Sequence, residues 1–353
     1  METVNCELGG GRGRIAGVTE RKHLHELVER FPERRVVLYG DLVLDRFVLG
    51  TPKRISREAP VIILRFEGRR DVPGGGANAL ANLASLGADV LPVGVVGEDE
   101  AGESLLAALA GCGVDVSGIV RLPGFATVTK VRILAGGAAS LKHQVARYDV
   151  EDRLPDGDGW RDAMLARLAA VAPGAHAAAV SDYGYGVVSA EGVACLRAAL
   201  PAGALAIADS RFGLEVLGCV DGATPNLEEL AATVGSVPRG DEAVAVAAEA
   251  LRRKLGARLI AATRGSEGLT LVEEGKRAVH LPVFGTDQVA DVTGAGDTVL
   301  ATLTLALAAG AAPEDAAVIA NLAGGIVVAK LGTATVSRDE IHRAIDQAPF
   351  VHA

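Results

Sequence analysis

Apolar runs of strand length alternate with helix-length segments through most of this 353-residue chain. The helix-length segments end at or near Gly or Pro, which are the usual helix stop signals. Such alternation favours βαβ units with right-handed crossovers, and hence a mostly parallel sheet with helices on both faces. The sequence therefore predicts an α/β fold. The strand-length runs cover residues 35–41, 89–97, 175–183, 204–210 and 258–265, and the helical segments cover residues 77–87, 103–113, 163–174, 191–200 and 241–256.

Two segments break this alternation and have the pattern of β-hairpins or ribbons, at residues 42–72 and 126–149. Their alternating apolar and polar residues predict a small sheet that stands off the main one as a lid. The composition is 49% hydrophobic and 3% aromatic, which suits a core of Ala, Val and Leu packed on parallel strands. We expect one domain over residues 33–347, preceded by a tail and leading helix (1–32) and followed by a short tail (348–353).

The net charge of −9 and the absence of a dense Lys/Arg block in the sequence argue against binding to nucleic acid or to anionic lipid. The first twenty residues lack the apolar core of a signal peptide. The apolar stretch 299–312 is shorter than the roughly 20 residues that a membrane span needs. The four widely spaced cysteines have no CxxC pair and are typical of reduced thiols. A cytoplasmic protein without membrane segments is expected.

The most informative motif is DVTGAGDT at residues 291–298, which leads into the apolar stretch of a helix. Backbone N–H groups around Gly294, Ala295 and Gly296 would lie at the positive end of that helix and could bind an anion such as phosphate. A carboxylate beside a phosphate needs another role, and Asp297 is placed to accept a proton from an attacking hydroxyl. The alternative is a helix-capping aspartate, which suits Asp291 better than Asp297.

Other polar residues follow the ends of predicted strands, where open α/β sheets place their ligands. Asp41 and Asp45 lie in GDLVLD and could accept hydrogen bonds from sugar hydroxyls, although a turn or N-cap role explains them equally well. The segment 73–88 contains three successive glycines that permit close approach of the backbone to a ligand. Within it, Asn78 offers a donor and an acceptor to vicinal hydroxyls.

These motifs resemble the signatures of the PfkB or ribokinase family of sugar kinases. DVTGAGD is similar to the second signature, and PGGGANALANLASLGA with the following GxDxxG is similar to the first. The resemblance implies a ribokinase-like, Rossmann-type three-layer sandwich with a β lid. It also implies that Asp297 is the catalytic base, that residues 294–296 form the anion hole, and that Gly75 and Asn78 bind the sugar.

The same resemblance implies ATP and Mg²⁺ as cofactors. Asn226 and Glu229 match the NxxE element of the family and would hold Mg²⁺ through water. The alternative is that they only begin a helix. Thr263, Gly265 and Gly268 match the TxGxxG turn beside the nucleotide phosphates, although such a turn could occur in any hairpin. Asn321 fits the adenine side of the pocket, where small residues could equally serve helix packing.

Several segments, above all RISREAPV at residues 54–61, are similar to the kinase module of bacterial D-glycero-D-manno-heptose 7-phosphate kinases, the HldE or RfaE type. The resemblance covers about residues 33–347 and implies phosphorylation at the anomeric C1 hydroxyl. Such a substrate needs cations for its distal phosphate. The candidates are Arg54, which we favour, Lys130, Arg132 and Arg147; as surface cations they could instead only solubilise the lid.

One further motif matches the family incompletely. The family often has DYxKG, and this chain has Asp182 and Tyr183 but carries Tyr185 in place of the lysine. Asp182 is therefore a substrate-binding candidate, while the missing cation could weaken phosphate contacts or alter substrate choice. The sequence ends at Ala353, and we expect the subsequent nucleotidyl transfer to belong to another protein.

Three other interpretations stay open at this point. A PfkB kinase for another sugar and a non-catalytic sugar or nucleotide sensor would share this fold, and the intact Asp297 turn argues against the sensor. An NAD-dependent dehydrogenase would carry its glycine fingerprint after the first strand, where this chain has GDLVLD. The apolar lid residues VIILRF would fit a homodimer formed through the lid, or would pack on the main domain.

Overall fold

A computed structural model describes residues 20–137, 142–157, 159–285 and 291–349. The helices are α1 (Arg21–Glu29), α2 (Gly76–Ser85), α3 (Glu100–Gly111), α4 (Trp160–Val171), α5 (Ala190–Ala199), α6 (Leu214–Leu217), α7 (Leu227–Val234), α8 (Asp241–Leu255), α9 (Ala295–Ala308), α10 (Pro313–Val328) and α11 (Arg338–Gln347). The strands are β1 (Arg35–Gly40), β2 (Leu42–Ile55), β3 (Ile62–Gly75), β4 (Asp89–Val93), β5 (Val95–Gly97), β6 (Val120–Leu122), β7 (Thr129–Ala135), β8 (His143–Val150), β9 (Ala177–Asp182), β10 (Leu205–Ser210), β11 (Gly222–Ala223), β12 (Leu259–Thr263), β13 (Leu269–Glu273) and β14 (Val279–Leu281).

The central sheet has eight strands in the order β14-β13-β12-β11-β10-β9-β1-β4. The six strands from β12 to β4 are parallel, while β13 and β14 are added in antiparallel orientation at one edge. The predicted α/β fold with a mostly parallel sheet is confirmed. Polar residues at the carboxyl ends of the parallel strands therefore meet along one edge, which faces the lid.

Strand β1 shows how the sheet separates two layers of helices. Val36 and Leu38 pack into a cluster with α1, α2, α9, α10 and α11. Val37 and Tyr39 point to the opposite face and pack with α4, α5 and α8. Successive side chains of a strand point to opposite faces, so a strand that is apolar at every position is buried on both sides. This is the expected three-layer arrangement.

The lid is a four-stranded sheet in the order β3-β2-β7-β8. Strands β2 and β3 form a long antiparallel pair, and β2 also pairs in parallel with β7, so that Asp45 lies opposite Lys130. Both predicted lid segments are therefore strands of one sheet. They are slightly longer than predicted, since β3 continues to Gly75 and β8 to Val150.

The predicted strand over residues 89–97 is two strands in different sheets. β4 belongs to the central sheet, whereas β5 pairs with β6 in a separate two-stranded sheet. The chain turns at Gly94, where a Cβ atom would lie 2.8 Å from the carbonyl oxygen of Gly40. Only glycine permits this approach, so the apolar run changes sheet there.

The chain termini lie partly outside the described ranges. The predicted leading helix is α1, but the tail before residue 20 and the last residues from 350 onward are not described. In the part that the structure describes, no helix is both long enough and apolar enough to cross a bilayer. Cys112, Cys195 and Cys219 are free thiols, and Cys6 falls outside the described residues.

Candidate active site

A cavity of about 680 Å³ lies between the lid and the carboxyl ends of the parallel strands. Its wall combines lid residues, strand ends and the first turn of α9, as the position of ligand sites in open α/β sheets predicts. Most of the predicted site residues lie on this wall. They are Asp45, Gly75, Lys130, Arg132, Arg147, Asn226, Glu229, Thr263, Gly265, Gly268, Gly294, Ala295, Gly296, Asp297 and Asn321.

Asp297 is the third residue of α9, and its carboxylate is buried at the base of the cavity. Its Oδ1 accepts a hydrogen bond from the Tyr183 hydroxyl at 2.8 Å. Its Oδ2 accepts one from the Asn78 amide at 3.2 Å. Each carboxylate oxygen can accept two hydrogen bonds, so the hydroxyl that receives a phosphoryl group can still donate a hydrogen bond to Asp297.

Burial raises the pKa of Asp297 to about 7, against the hydrogen bonds from Tyr183 and Asn78, which lower it. The nearby carboxylate of Asp45 raises it further, and Lys130 lowers it. A general base works best when its pKa lies close to the operating pH. Asp297 therefore has the position and basicity to accept a proton from a hydroxyl at neutral pH.

The turn before α9 packs tightly against Asn78 of α2. Gly294 has φ of 82°, and a Cβ atom there would lie 2.5 Å from the Asn78 amide nitrogen, so only glycine fits. Asn78 donates to the carbonyl of Gly294 at 3.2 Å, which holds this turn against α2. The Ala295 N–H donates to the carbonyl of Val292 at 3.3 Å, so this group is less free to bind an anion than the sequence indicated.

Two predicted sugar-binding carboxylates support a loop instead. Asp41 accepts hydrogen bonds from the backbone N–H groups of Tyr183, Tyr185 and Val187 at 2.7, 3.1 and 3.2 Å. Asp182 accepts from Gly184 N–H at 2.9 Å and from a serine hydroxyl of β10. Neither residue lines the cavity. Their oxygens hold the loop that carries Tyr183, and the structure does not bring these two residues together with the other predicted site residues.

Asp45 lies on the cavity wall and is already paired with a lid cation. Arg132 donates to its Oδ1 at 2.6 Å, and the Thr333 hydroxyl donates to its Oδ2 at 3.4 Å. A Cβ atom at Gly74 would lie 2.7 Å from this carboxylate, which explains the glycine. The charge of Arg132 is therefore largely compensated by Asp45, and Asp45 keeps lone pairs for a sugar hydroxyl.

Lys130 and Arg211 are different, because both contact the ring of Tyr183. The Lys130 ammonium lies 4.7 Å from the ring centroid and the Arg211 guanidinium carbon lies 4.5 Å from it. Within the described ranges, neither cation has a carboxylate oxygen within 4.0 Å. Burial and the neighbouring Arg211 lower the pKa of Lys130. Two cations on the cavity wall that make no direct ion pair in the described part of the chain could hold an anionic ligand.

The other predicted cations of the lid are less suited to this role. Arg147 lines the cavity, but its Nε donates to Asp149 at 2.8 Å, so its charge is largely neutralised. Arg54 lies on the outer end of β2, exposed, with its guanidinium 3.4 Å from the carbonyl of Ile55. Arg54 does not line the cavity, so the structure does not bring it together with the other site residues.

At the opposite end of the cavity, Asn226 and Glu229 form a capping box at the start of α7. Asn226 Oδ1 accepts from the Glu229 N–H at 2.9 Å, and Glu229 Oε2 accepts from the Asn226 N–H at 2.8 Å. The helix-start interpretation of this pair is therefore correct. A metal role would involve the atoms that the capping box leaves free, such as Glu229 Oε1. Asn321 donates to the carbonyl of Pro282 at 2.8 Å, so its amide is partly engaged.

Asp209 was not among the predicted site residues, but it lies at the end of β10 and lines the same cavity. Burial raises its pKa well above the usual range, and the charges of Glu229 and Asp297 raise it further. Partly buried carboxylates that repel one another are suited to a hard cation, since Mg²⁺ prefers oxygen ligands. No group of three or more metal-ligating side chains is found in the described ranges. The available donors fit an ion held through water and phosphate oxygens.

A parallel sheet with helices on both faces, a β lid and a buried carboxylate at the start of a helix define an α/β phosphotransferase site. Residues 33–340 match the pfkB family of carbohydrate kinases, and the chain belongs to that family. It is therefore a sugar kinase. This confirms the resemblance that its two signatures indicated.

Curated relatives are similar over most of the chain. The bifunctional protein HldE of Nitrosococcus oceani is 40% identical over 323 residues, which are 89% of this chain and 64% of that protein. HldE of Mesorhizobium japonicum is 39% identical over 336 residues, 93% of this chain and 66% of that protein. The chain thus resembles the kinase module of HldE, and it spans just under two thirds of the length of these relatives.

Solved structures confirm the fold. A ribokinase of Arabidopsis thaliana complexed with ribose and ATP has a TM-score of 0.68 at 22% identity and covers 88% of this chain and 98% of its own. Phosphofructokinase-2 of Escherichia coli in complex with substrates and products has a TM-score of 0.71 at 22% identity and covers 89% and 99%. At this level of identity the likeness concerns the fold, which is ribokinase-like.

Proposed function

We propose that the protein transfers the γ-phosphoryl group of ATP to the anomeric C1 hydroxyl of D-glycero-D-manno-heptose 7-phosphate. The product would be heptose 1,7-bisphosphate, made in the cytoplasm as a precursor of ADP-heptose or a related nucleotide-heptose. The observation that carries this proposal is a buried base, Asp297, in the same cavity as two cations, Lys130 and Arg211, that form no direct ion pair with a described residue. A phosphorylated sugar can place a hydroxyl at the base and its phosphate at the two cations.

The choice of heptose rests on similarity. The segment 54–61 resembles heptose 7-phosphate kinases, and the matched relatives are HldE proteins. Tyr185 stands where that family often has a lysine, and its hydroxyl donates to Glu151 at 3.0 Å. Arg211 contacts the ring of the neighbouring Tyr183, and its positive charge also acts on Tyr185. The distal phosphate would therefore bind to Lys130 and Arg211 rather than to residue 185.

The proposed chemistry assigns one task to each end of the cavity. Asp297 accepts the proton of the C1 hydroxyl as that oxygen attacks the γ-phosphorus, and ADP leaves. The N-terminal end of α9 stabilises the charge of the transferred group through its dipole. ATP would lie along Thr263, Gly265, Gly268 and Asn321. Mg²⁺ would be held near Asp209 and Glu229, with Asn226 nearby, and would neutralise phosphate charge.

A substrate comparison tests this proposal. We expect heptose 7-phosphate to be the preferred acceptor among heptose 7-phosphate, free heptose, ribose 5-phosphate and fructose 6-phosphate. Its distal phosphate, which neutralises Lys130 and Arg211, favours it over free heptose, and the similarity to HldE proteins favours it over the two other sugar phosphates. The measurement is ADP release with Mg²⁺-ATP, with the product position read by phosphorus NMR. Preference for an unphosphorylated sugar would refute the substrate and leave the kinase assignment intact. Absence of turnover with every sugar would favour a sensor.

We also propose that two copies associate through their lids. The lid carries exposed apolar side chains, namely Ile55, Ile62, Phe66, Val145 and Tyr148. Exposed apolar patches of this kind usually mark an interface. Changing Phe66 to Arg should convert a dimer to a monomer in sedimentation velocity. Val246→Arg, an equally exposed valine on α8 away from the lid, should leave the dimer intact. A wild-type monomer at micromolar concentration would contradict this proposal.

A further inference from the structure

The Tyr183 hydroxyl has no role in the mechanism above, yet it makes the shorter of the two hydrogen bonds to Asp297 described here. The loop that carries it is anchored from behind by three backbone N–H bonds to Asp41, so the ring position is fixed. Lys130 and Arg211 contact the same ring. One side chain therefore touches both the base and the candidate phosphate site.

Tyr183 acts as a donor throughout the working pH range. Burial and the neighbouring Asp297 charge raise the pKa of its phenol well above the usual range, so the hydroxyl keeps its proton. A donor bonded to a carboxylate stabilises the ionised form, and the bond from Tyr183 accordingly lowers the pKa of Asp297. Without it, the buried carboxylate would need a higher pH to ionise.

The charged groups that face Asp297 come from several elements. Asp45 on β2 and Asp209 on β10 repel its negative charge, while Lys130 on β7 attracts it. These three groups line the cavity, so a bound ligand would contact them. The bonds from Tyr183 and Asn78 are short-range and directional, so they also fix the orientation of the carboxylate.

We propose that Tyr183 is a positioning residue for phosphoryl transfer. Its hydroxyl orients the Asp297 carboxylate toward the acceptor and favours the ionised form, which sets the lowest pH at which the base works. This inference rests on the proposed role of Asp297 as the base. Tyr183 lies in the matched part of the DYxKG motif, and the sequence predicted no role for it in the site.

The test is Tyr183→Phe, which keeps the ring and its contacts with the cations and removes only the hydroxyl. With the best acceptor and saturating Mg²⁺-ATP, the acid limb of the kcat profile should move to higher pH by about one unit, since a hydrogen bond to a charged group contributes about that much. The rate should fall about tenfold at pH 6.5 and recover near pH 9, while KM for ATP changes little.

Tyr185→Phe is the matched control. It removes a tyrosine hydroxyl bonded to a carboxylate, Glu151, in the same loop, so its acid limb should stay at the wild-type pH. Partial unfolding would lower rates at every pH but would not move the limb. An unmoved limb in Tyr183→Phe would overturn the proposal.

A second measurement does not depend on the choice of sugar. Carbon-13 NMR of aspartate side-chain carboxyls can follow the titration of Asp297, identified as the signal that is missing in Asp297→Asn. The Asp297 signal should titrate at higher pH in Tyr183→Phe, and an unchanged titration would refute the role of Tyr183. If no sugar is phosphorylated, the proposed function fails, and this titration still decides whether Tyr183 controls Asp297.

Discussion

Asp297→Asn should abolish phosphoryl transfer while preserving ATP binding. The amide has nearly the same shape as the carboxylate but cannot accept a proton from the attacking hydroxyl, and loss of a general base typically costs about 10²- to 10⁴-fold in rate. ATP affinity should be unchanged or higher, because a carboxylate beside the phosphates repels them. The measurements are steady-state ADP release and calorimetric titration with Mg²⁺-ATP.

The same substitution should stabilise the fold at alkaline pH. Burial raises the pKa of Asp297 from 3.8 to about 7, so the folded protein binds this proton more tightly than the unfolded chain. Stability is therefore lost as pH rises between these two values, by up to about 4 kcal/mol. Asparagine resembles the protonated acid and avoids this loss. The gain in unfolding free energy should be less than half of its full size at pH 5 and largest near pH 8 in urea titrations.

The control for this pair of measurements is Asp291→Asn in the same turn. Asp291 accepts hydrogen bonds from the Thr293 and Gly332 N–H groups at 2.9 and 3.1 Å, so its role is structural. This variant should retain turnover and lose some stability. Retention of full activity by Asp297→Asn would exclude Asp297 as the base. An equal gain in unfolding free energy at pH 5 and pH 8 would contradict the raised pKa of Asp297.

The layered fold could be predicted from sequence because its signals are local. The alternation of apolar runs gave the parallel strands, and the pattern of 42–72 and 126–149 gave the lid. The break at Gly94 was missed because it depends on a close approach to Gly40, which lies far away in sequence. The two-residue strand β11 has no apolar run of its own and forms only between its neighbours.

The candidate site was predictable where a motif contains its own geometry, as in the turn that carries Asp297. It was not predictable where the role depends on a partner in space. Asp41 was expected to bind a sugar, but its oxygens are used by the backbone of the loop that follows β9. Tyr183 and Arg211 were not selected, because their significance lies in contacts with Asp297 and Lys130.

Lys130→Met should lower kcat/KM much more for a phosphorylated acceptor than for an unphosphorylated one. Lys130 is buried in the cavity wall without a carboxylate within 4.0 Å in the described ranges, so a substrate phosphate is its natural counterion. A hydrogen bond to a charged group contributes about 1.5–3 kcal/mol, which predicts a loss of about 10- to 150-fold in kcat/KM for the phosphorylated sugar. The unphosphorylated sugar should lose much less, because it makes no contact with the ammonium.

This measurement should be made near pH 8.5. Lys130 lowers the pKa of Asp297, so its removal raises that pKa, and at neutral pH a smaller ionised fraction would lower the rate with every acceptor. At pH 8.5 the base is ionised in both proteins, and the remaining difference reports the phosphate contact.

Lys142→Met is a control of the same residue type on the same lid. Lys142 is paired with Glu67 at 2.6 Å on the outer part of the lid, so its loss should not change the ratio of kcat/KM values for the two acceptors. Equal losses for both acceptors in Lys130→Met would show that the ammonium supports the base rather than the distal phosphate. The cation site would then have to be sought at Arg211, the other cation in contact with Tyr183.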